Sequence, residues 1–227
     1  MIRFRLRLKA VSLLTVGQGV PEVFGADIVQ ARKRRVGRQG AEEGSVCYVP
    51  GSSFKGAWRT ATSRIAAAYG FTSCGEVEPG RIVDAHSRLG RVCDVCRAFG
   101  YPGGPESSSQ VIVGDFEVQR GTGTVIVARV SLDDRTLTAR EGALYSVEHL
   151  PPGTELLGEV RVRRGAEGLL PLLLLGLAEL RTSSFGRRSL VDIKLEDEGV
   201  LTPLIEARWL PLLEGLRSWL WEGVVNL

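Results

Sequence analysis

One short stretch, SCGEVEPGRIVDAHSRLGRVCDVCRAFG, gathers four side chains well suited to a transition metal: Cys74, His86, Cys93 and Cys96. Cys93 and Cys96 are separated by two residues, the spacing that turns both sulfurs toward one ion, and Cys74 with His86 completes a tetrahedral Cys3His set. Four protein ligands leave no open coordination position, so the expected ion is a structural Zn2+ with no chemistry of its own. The stretch is otherwise poor in apolar residues and would need such a staple to hold a shape. Two reduced buried thiols beside an unrelated histidine form the plainer alternative. A thioredoxin-type redox pair lacks the strand and helix context it requires.

A second group of residues suits phosphate. In VPGSSFKGAWRT, Gly51 and Gly56 have the separation of a nucleotide-binding loop, but Lys55 precedes the second glycine and Ala57 follows it, so the nucleotide pattern is not met. Pro50 and Gly51 turn the chain, Ser52 or Ser53 is suited to cap the first free N–H groups, and Lys55 and Arg59 lie one turn apart, away from the apolar side. The result is a positive helix start with two cations beside it, able to take an anion. Upstream, Arg32, Lys33, Arg34, Arg35 and Arg38 form a basic run. Such a run most simply solvates a surface, yet two basic groups flanking one helix favour a polyanion.

Candidates for catalysis are few. His149, in EHLPPG, reads as a turn or surface histidine, and no Ser, His and Asp triad can be assembled. Cys47, at a strand end, reads as a core thiol. Asp27, in VFGADIVQARKRR, is the most suggestive carboxylate, because cations follow it closely and one aspartate can position a metal ion or orient a 2′-hydroxyl. A lone Asp in a loop is otherwise a turn former.

These residues need elements to position them. Ile2, Phe4, Leu6 and Leu8 alternate with Arg3, Arg5, Arg7 and Lys9, which predicts a strand with one buried and one basic face, the latter able to hold nucleic acid if open. Residues 15–46 show no sustained periodicity and read as a long loop. Phe54, Ala57, Trp58, Ala61, Ile65 and Ala68 predict an amphipathic helix stopped by Gly70. Residues 71–105 read as the stapled insertion. VIVGDFEV, TVIVARVSL and ALYSVEHL follow as extended segments, then LLGEVRVR as a strand, Leu169 to Arg181 as a buried helix, and Leu190 to Glu196 as a strand. Trp209 to Leu227 is expected to be helical, with Trp209, Leu213, Leu216 and Leu220 in a stripe. Without insertions the order is strand, helix, strands, helix, strand, which is that of an α+β ferredoxin-like core as in RNA-recognition modules.

Of 227 residues, 44% are hydrophobic and 24% charged, with a net charge of +3, which fits a folded chain whose basic character is local. The first residues do not form a secretory leader, and the longest apolar run falls short of the about 20 residues a membrane span needs. A cytoplasmic protein with no membrane partner is expected, and its four cysteines are then ligands or thiols rather than disulfides.

Several motifs, in order, resemble one known family. VPGSSFKGAWR is similar to a Pro-Gly-Ser-Ser-hydrophobic-Lys-Gly helix start, CDVCRAFG to a Cys-x-x-Cys segment ahead of Phe-Gly, and RVSLDDRTLTAREGALYSVEHLPPGTEL to a hairpin ending in a Pro-Gly-Thr turn. Together, over positions 1 to about 195, they resemble the RAMP proteins of CRISPR effector complexes, specifically the repeated backbone subunit of type III complexes. The resemblance implies a single modified RRM-like domain over residues 1–227, with insertions at about 15–46 (catalytic loop), 71–105 (zinc segment) and 111–147 (a β-hairpin thumb that kinks the guide). It further implies copies of the chain stacked with other effector subunits along a CRISPR guide RNA, and cleavage of complementary target RNA at regular intervals. Cleavage would use Asp27, a divalent cation such as Mg2+ and the RNA's own 2′-hydroxyl, making the complex an endoribonuclease. SSFGRRSLVDIK stands where the family carries a glycine-rich loop; Gly186, Arg187, Arg188 and Ser189 are kept, the usual later glycine is absent, and the two arginines suit phosphates. A non-catalytic RNA-binding subunit of the same kind of complex, with Asp27 a plain loop residue, is the alternative. The C-terminal segment lies outside the matched part and reads as core cover or a contact with a neighbouring subunit.

Overall fold

In the computed structural model of the chain, residues 1–17, 19, 25–36, 42–103, 107–121 and 123–222 are described. Strand β1 (Ile2–Ala10) buries Ile2, Phe4, Leu6, Leu8 and Ala10 on one face, as its alternation predicts. It lies at the centre of an antiparallel sheet, between β8 (Glu155–Val162) and β10 (Ser189–Leu195), in register Leu6 to Gly158 and Leu6 to Leu195. Beyond β8 come β4 (Val111–Val113) and β5 (Phe116–Arg120), which pair with opposite ends of the same edge of β8 and so form one strand broken at Gly114 and Asp115. Beyond β5 lie β3 (Glu42–Val49) and β2 (Arg32–Val36), while the two-residue β9 (Ser184–Phe185) flanks β10.

Two helices cover the face that carries Phe4, Leu6 and Leu8. Helix α1 (Gly51–Ile65) follows the β2–β3 hairpin on the long path from β1 to β4–β5, with β8 between those parallel strands, and α4 (Leu170–Leu180) connects β8 to β10, with β1 between them. The helices touch closely: Trp58 Nε1 donates to the Leu173 carbonyl at 2.9 Å, and a Cβ on Gly176 would stand 1.9 Å from Thr62 Oγ1. Phe54 packs on Phe116 with ring centroids 4.6 Å apart, joining α1 to the sheet.

Several expectations change. Part of the stretch 15–46 forms the β2–β3 hairpin, although RKRRV has no apolar alternation; its pairing is held by partners distant in sequence, Lys33 with Glu117 and Arg32 with Glu148. The stretch 71–105 contains helices α2 (Pro79–Leu89) and α3 (Asp94–Phe99). Of the extended stretch 111–147, β4 and β5 belong to the main sheet, and the separate ribbon consists of β6 (Val125–Leu132) and β7 (Ala139–His149).

The C-terminal helix is also shorter than predicted. A turn at Ala207–Trp209 leads into α5 (Leu210–Gly215), and residues 216–222 run on without helix; residues 223–227 lie outside the described residues. Leu213 and Leu216 are buried, but Leu220 is 51% exposed, so the expected stripe ends early. The backbone groups a longer helix would satisfy find other partners. Arg181 donates to the carbonyls of Gly215 and Ser218 at 2.8 Å each, and Asp192 accepts from the Trp221 N–H at 2.8 Å.

The basic face of β1 is not open either. Arg5 pairs with Asp197, Arg7 with Glu155 and Glu196, and the Lys9 ammonium lies over the Trp219 ring at 5.5 Å. Among the described residues, no helix is long and apolar enough to cross a membrane.

Candidate functional site

The Cys3His group comes together. Cys74 sits on the segment after α1, His86 on the last turn of α2, Cys93 at the N-cap of α3 and Cys96 one turn into it. Their ligand atoms all lie within 4.8 Å of one another, with the sulfurs of Cys74 and Cys96 3.7 Å apart. His86 is 7% exposed, and both ring nitrogens are buried with no hydrogen-bond partner, a costly state for an imidazole unless a nitrogen serves as a ligand. Cys93 accepts from the Cys96 backbone N–H, and Arg59 donates to the Cys96 sulfur at 3.1 Å, as suits sulfurs that carry negative charge. Between these neighbouring sulfurs Cys93 is the one favoured as thiolate, its pKa lowered and that of Cys96 raised while the pair keeps one proton; a bound cation would displace that proton. Three sulfurs and one imidazole make a closed donor set that fits Zn2+.

The start of α1 differs from expectation. Its N-cap is Pro50, with no side-chain cap from Ser52 or Ser53; instead the Asp115 carboxylate accepts from the Gly51 N–H at 3.0 Å. A Cβ on Gly51 would stand 2.4 Å from the Val113 carbonyl, so only glycine lets the helix meet the break between β4 and β5. Ser52 is exposed and Ser53 half-buried. Lys55 donates to Ser109 Oγ at 2.7 Å, tying α1 to the stretch before β4, and Arg59 donates to the Gly100 carbonyl as well as to Cys96, tying it to the cysteine segment. Burial, with Arg59 nearby, lowers the pKa of Lys55.

Of the upstream run, Lys33 donates to Glu117 at 2.6 Å and lies over the Tyr48 ring. Arg34 is exposed on β2, and the side chain of Arg35 and all of Arg38 lie outside the described residues.

Asp27 stands exposed where residues 25–31 run beside β7, with Ile28 forming a parallel bridge to Val147. Ser146 holds it from two sides: its N–H donates to Asp27 Oδ2 at 2.6 Å and its hydroxyl to the same oxygen at 2.8 Å. These bonds lower the Asp27 pKa, so the carboxylate is ionised at neutral pH. One residue pair further along, Glu148 accepts from the Gln30 N–H, from Arg32 and from Thr124. Burial pulls the Glu148 pKa up, but these donors outweigh it and the net shift is downward.

Alternate residues of β7 face a cleft of about 330 Å3, lined by Arg129, Tyr145, His149, Arg187 and Arg188. Arg187 and Arg188 are exposed on the loop before β10, and Arg188 holds a positive φ of 61°, a sparsely populated state for a residue with a side chain. The loop is clamped to the segment after β1: Arg187 N–H donates to the Thr15 carbonyl at 3.1 Å, and a Cβ on Gly186 would fall 2.3 Å from that oxygen. Sequence reasoning found the two arginines but missed Arg129, Tyr145 and His149. The period of two along β7 was the available signal, since it sets Tyr145 and His149 on one side and Ser146 and Glu148 on the other. Three guanidiniums and a phenol, over a buried imidazole, form a surface suited to a phosphodiester, while the ionised Asp27 lies on the opposite side of β7.

Residues 7–189 match a family model described as the RAMP superfamily. No curated protein matches the chain.

Proposed function

The chain belongs to the RAMP superfamily, a family of CRISPR-associated RNA-binding proteins, and on that premise we propose that it is a guide-RNA-binding backbone subunit of a type III effector complex that cuts complementary target RNA. The strand order β10–β1–β8–β5, bridged by α1 and α4, supports a ferredoxin-like core. The ribbon β6–β7, which stands apart from the main sheet, takes the part of the guide-kinking thumb. Phosphate contacts are assigned to Arg187 and Arg188, to Ser52 and Ser53, and to Lys33, Arg34 and Arg35. Lys55 and Arg59 join them only by exchanging the internal partners described above. The Cys3His group would hold a structural Zn2+ that fixes α2 to α3 and to the segment after α1.

The observation that carries the cleaving role is Asp27: exposed, ionised, oriented by Ser146, and backed by the strand whose other side lines the basic cleft. A Mg2+ bound there would supply charge neutralisation at the scissile phosphate. Asp27, kept deprotonated, is the residue that would hold that ion and help to orient the 2′-hydroxyl, while the arginines fix the flanking backbone.

Reconstitution with guide RNA and partner subunits, followed by mapping of cuts in a labelled target, tests this. Asp27→Ala and Asp27→Asn should remove cuts at a fixed spacing while the guide stays bound. Cuts that persist in both variants would give the chain the non-catalytic role, and a purified complex without RNA of defined length would remove the guide-binding role as well.

A further inference from the structure

His149 touches one wall of the basic cleft directly, at Arg129, and reaches the other through Thr15. It is 1% exposed, and its neighbours fix its protonation. Thr15 Oγ1 donates to the Glu148 carbonyl at 2.7 Å, so toward His149 Nδ1, 2.6 Å away, it offers a lone pair, and Nδ1 must carry the hydrogen. The proton of a neutral ring is thereby used, and Nε2 is an acceptor. Facing it at 3.4 Å is Arg129 Nη2, which can only donate. The same Thr15 takes the Arg187 N–H on its carbonyl. A single neutral imidazole therefore links Arg129 on β6 to the loop that presents Arg187 and Arg188.

We propose that His149 is a positioning residue: as a neutral imidazole it holds the Arg129 guanidinium over the cleft so that it meets RNA phosphate together with Arg187 and Arg188, and protonation of His149 breaks that hold. The inference rests on the RNA-binding reading of the cleft. Protonation sets an Nε2–H against an N–H of Arg129 and a positive charge against another. The charged and titratable groups that face the ring across the cleft are Arg129 of β6, Tyr145 of β7, and Arg187 and Arg188 of the loop, with no carboxylate among them. Glu148, next in sequence, turns away to Gln30, Arg32 and Thr124. Burial and Arg129 both disfavour the charged ring, so its pKa lies below the ordinary 6.5. The neutral arrangement is intact above that ordinary value and is lost as the pH falls through the lower, folded value.

The consequence is opposite to that of a plain basic surface. A histidine that merely added charge would strengthen RNA binding as the pH falls, whereas release of Arg129 weakens it. Binding of a labelled single-stranded RNA to the full chain, measured across salt at about pH 7.5 and about pH 5.5, separates the two. Because the ring titrates below its ordinary value, the wild type should bind several-fold more weakly at the lower pH, the loss deepening as the pH is taken further down toward that of one charge-assisted hydrogen bond. His149→Asn keeps a donor toward Thr15 but offers nothing to Arg129, and should show the weakened binding and a salt slope smaller by about one already at the higher pH. His149→Gln, whose carbonyl can accept from Arg129 and does not titrate, should restore most of the affinity and remove the pH dependence. Arg129→Gln should match His149→Asn, with no further loss in the double variant. Wild-type binding that strengthens or stays level at the lower pH overturns the inference, as does a folded His149→Asn that binds like wild type. Should His149→Asn fail to fold, the wild-type pH series and Arg129→Gln decide alone. Absence of wild-type RNA binding at every pH and salt would instead remove the reading on which the inference stands.

Discussion

Gly176 sets how closely α1 and α4 approach, through a methyl group it lacks. A Cβ there would lie 1.9 Å from Thr62 Oγ1, 2.9 Å from Thr62 Cβ and 3.0 Å from Trp58 Nε1, and neither side chain can yield, since both are fully buried. Helix propensity alone would make Gly176→Ala stabilising by about 1 kcal/mol. Overpacking should win, giving a net loss of about 2 kcal/mol, read as a lower denaturation midpoint at unchanged slope. In the sequence this glycine reads only as an interruption of an apolar run, because what makes it necessary belongs to another helix. The metal ligands are legible for the converse reason: two of them share a local spacing that survives folding. His149 falls between these cases. Its neighbours on β7 indicate its face, but Thr15 and Arg129, which decide its role, are more than a dozen residues away in sequence.

At the scale of elements, the cysteine segment is held unevenly. Helix α3 is anchored without a metal: Val95, Ala98 and Phe99 are buried, and Phe99 meets Trp58 edge-on at 5.4 Å. Helix α2 buries only Ile82, Ala85 and His86, and His86 brings two unpaired ring nitrogens with it. A strong chelator should therefore lower the thermal midpoint and speed amide hydrogen exchange over residues 74–90, with less effect on Asp94–Phe99. About one zinc per chain should be released, and equal exchange with and without chelator would show that no metal holds α2. The sequence suggests a segment with no apolar anchor, and α3 corrects that. The hairpin β2–β3 is illegible for a related reason. Its charges alternate with charges, and the acids that pair them, Glu117 and Glu148, stand on strands formed much later in the chain.

Across the whole molecule, the order of strands and helices follows the apolar periodicity closely, because β1, β8, β10, α1 and α4 each bury a face that their own residues define. The C-terminal segment does not follow it. Its course is fixed by the buried pair of Arg181 and Asp192, 2.7 Å apart, which reach its backbone at Gly215, Ser218 and Trp221. That segment also covers part of the sheet face an RNA-recognition module would use, with Trp219 against Lys9 and Lys194.

The same arrangement gives the protein an optical division of labour. Of its four tryptophans, only Trp58 lies in the helical core; Trp209, Trp219 and Trp221 all belong to the C-terminal segment. In a Trp58→Phe variant, fluorescence comes from that segment alone. A red shift at denaturant concentrations below the loss of helical circular dichroism would mean that the segment peels away first. Coincident transitions would mean that Arg181 and Asp192 bind it into one cooperative unit with the core.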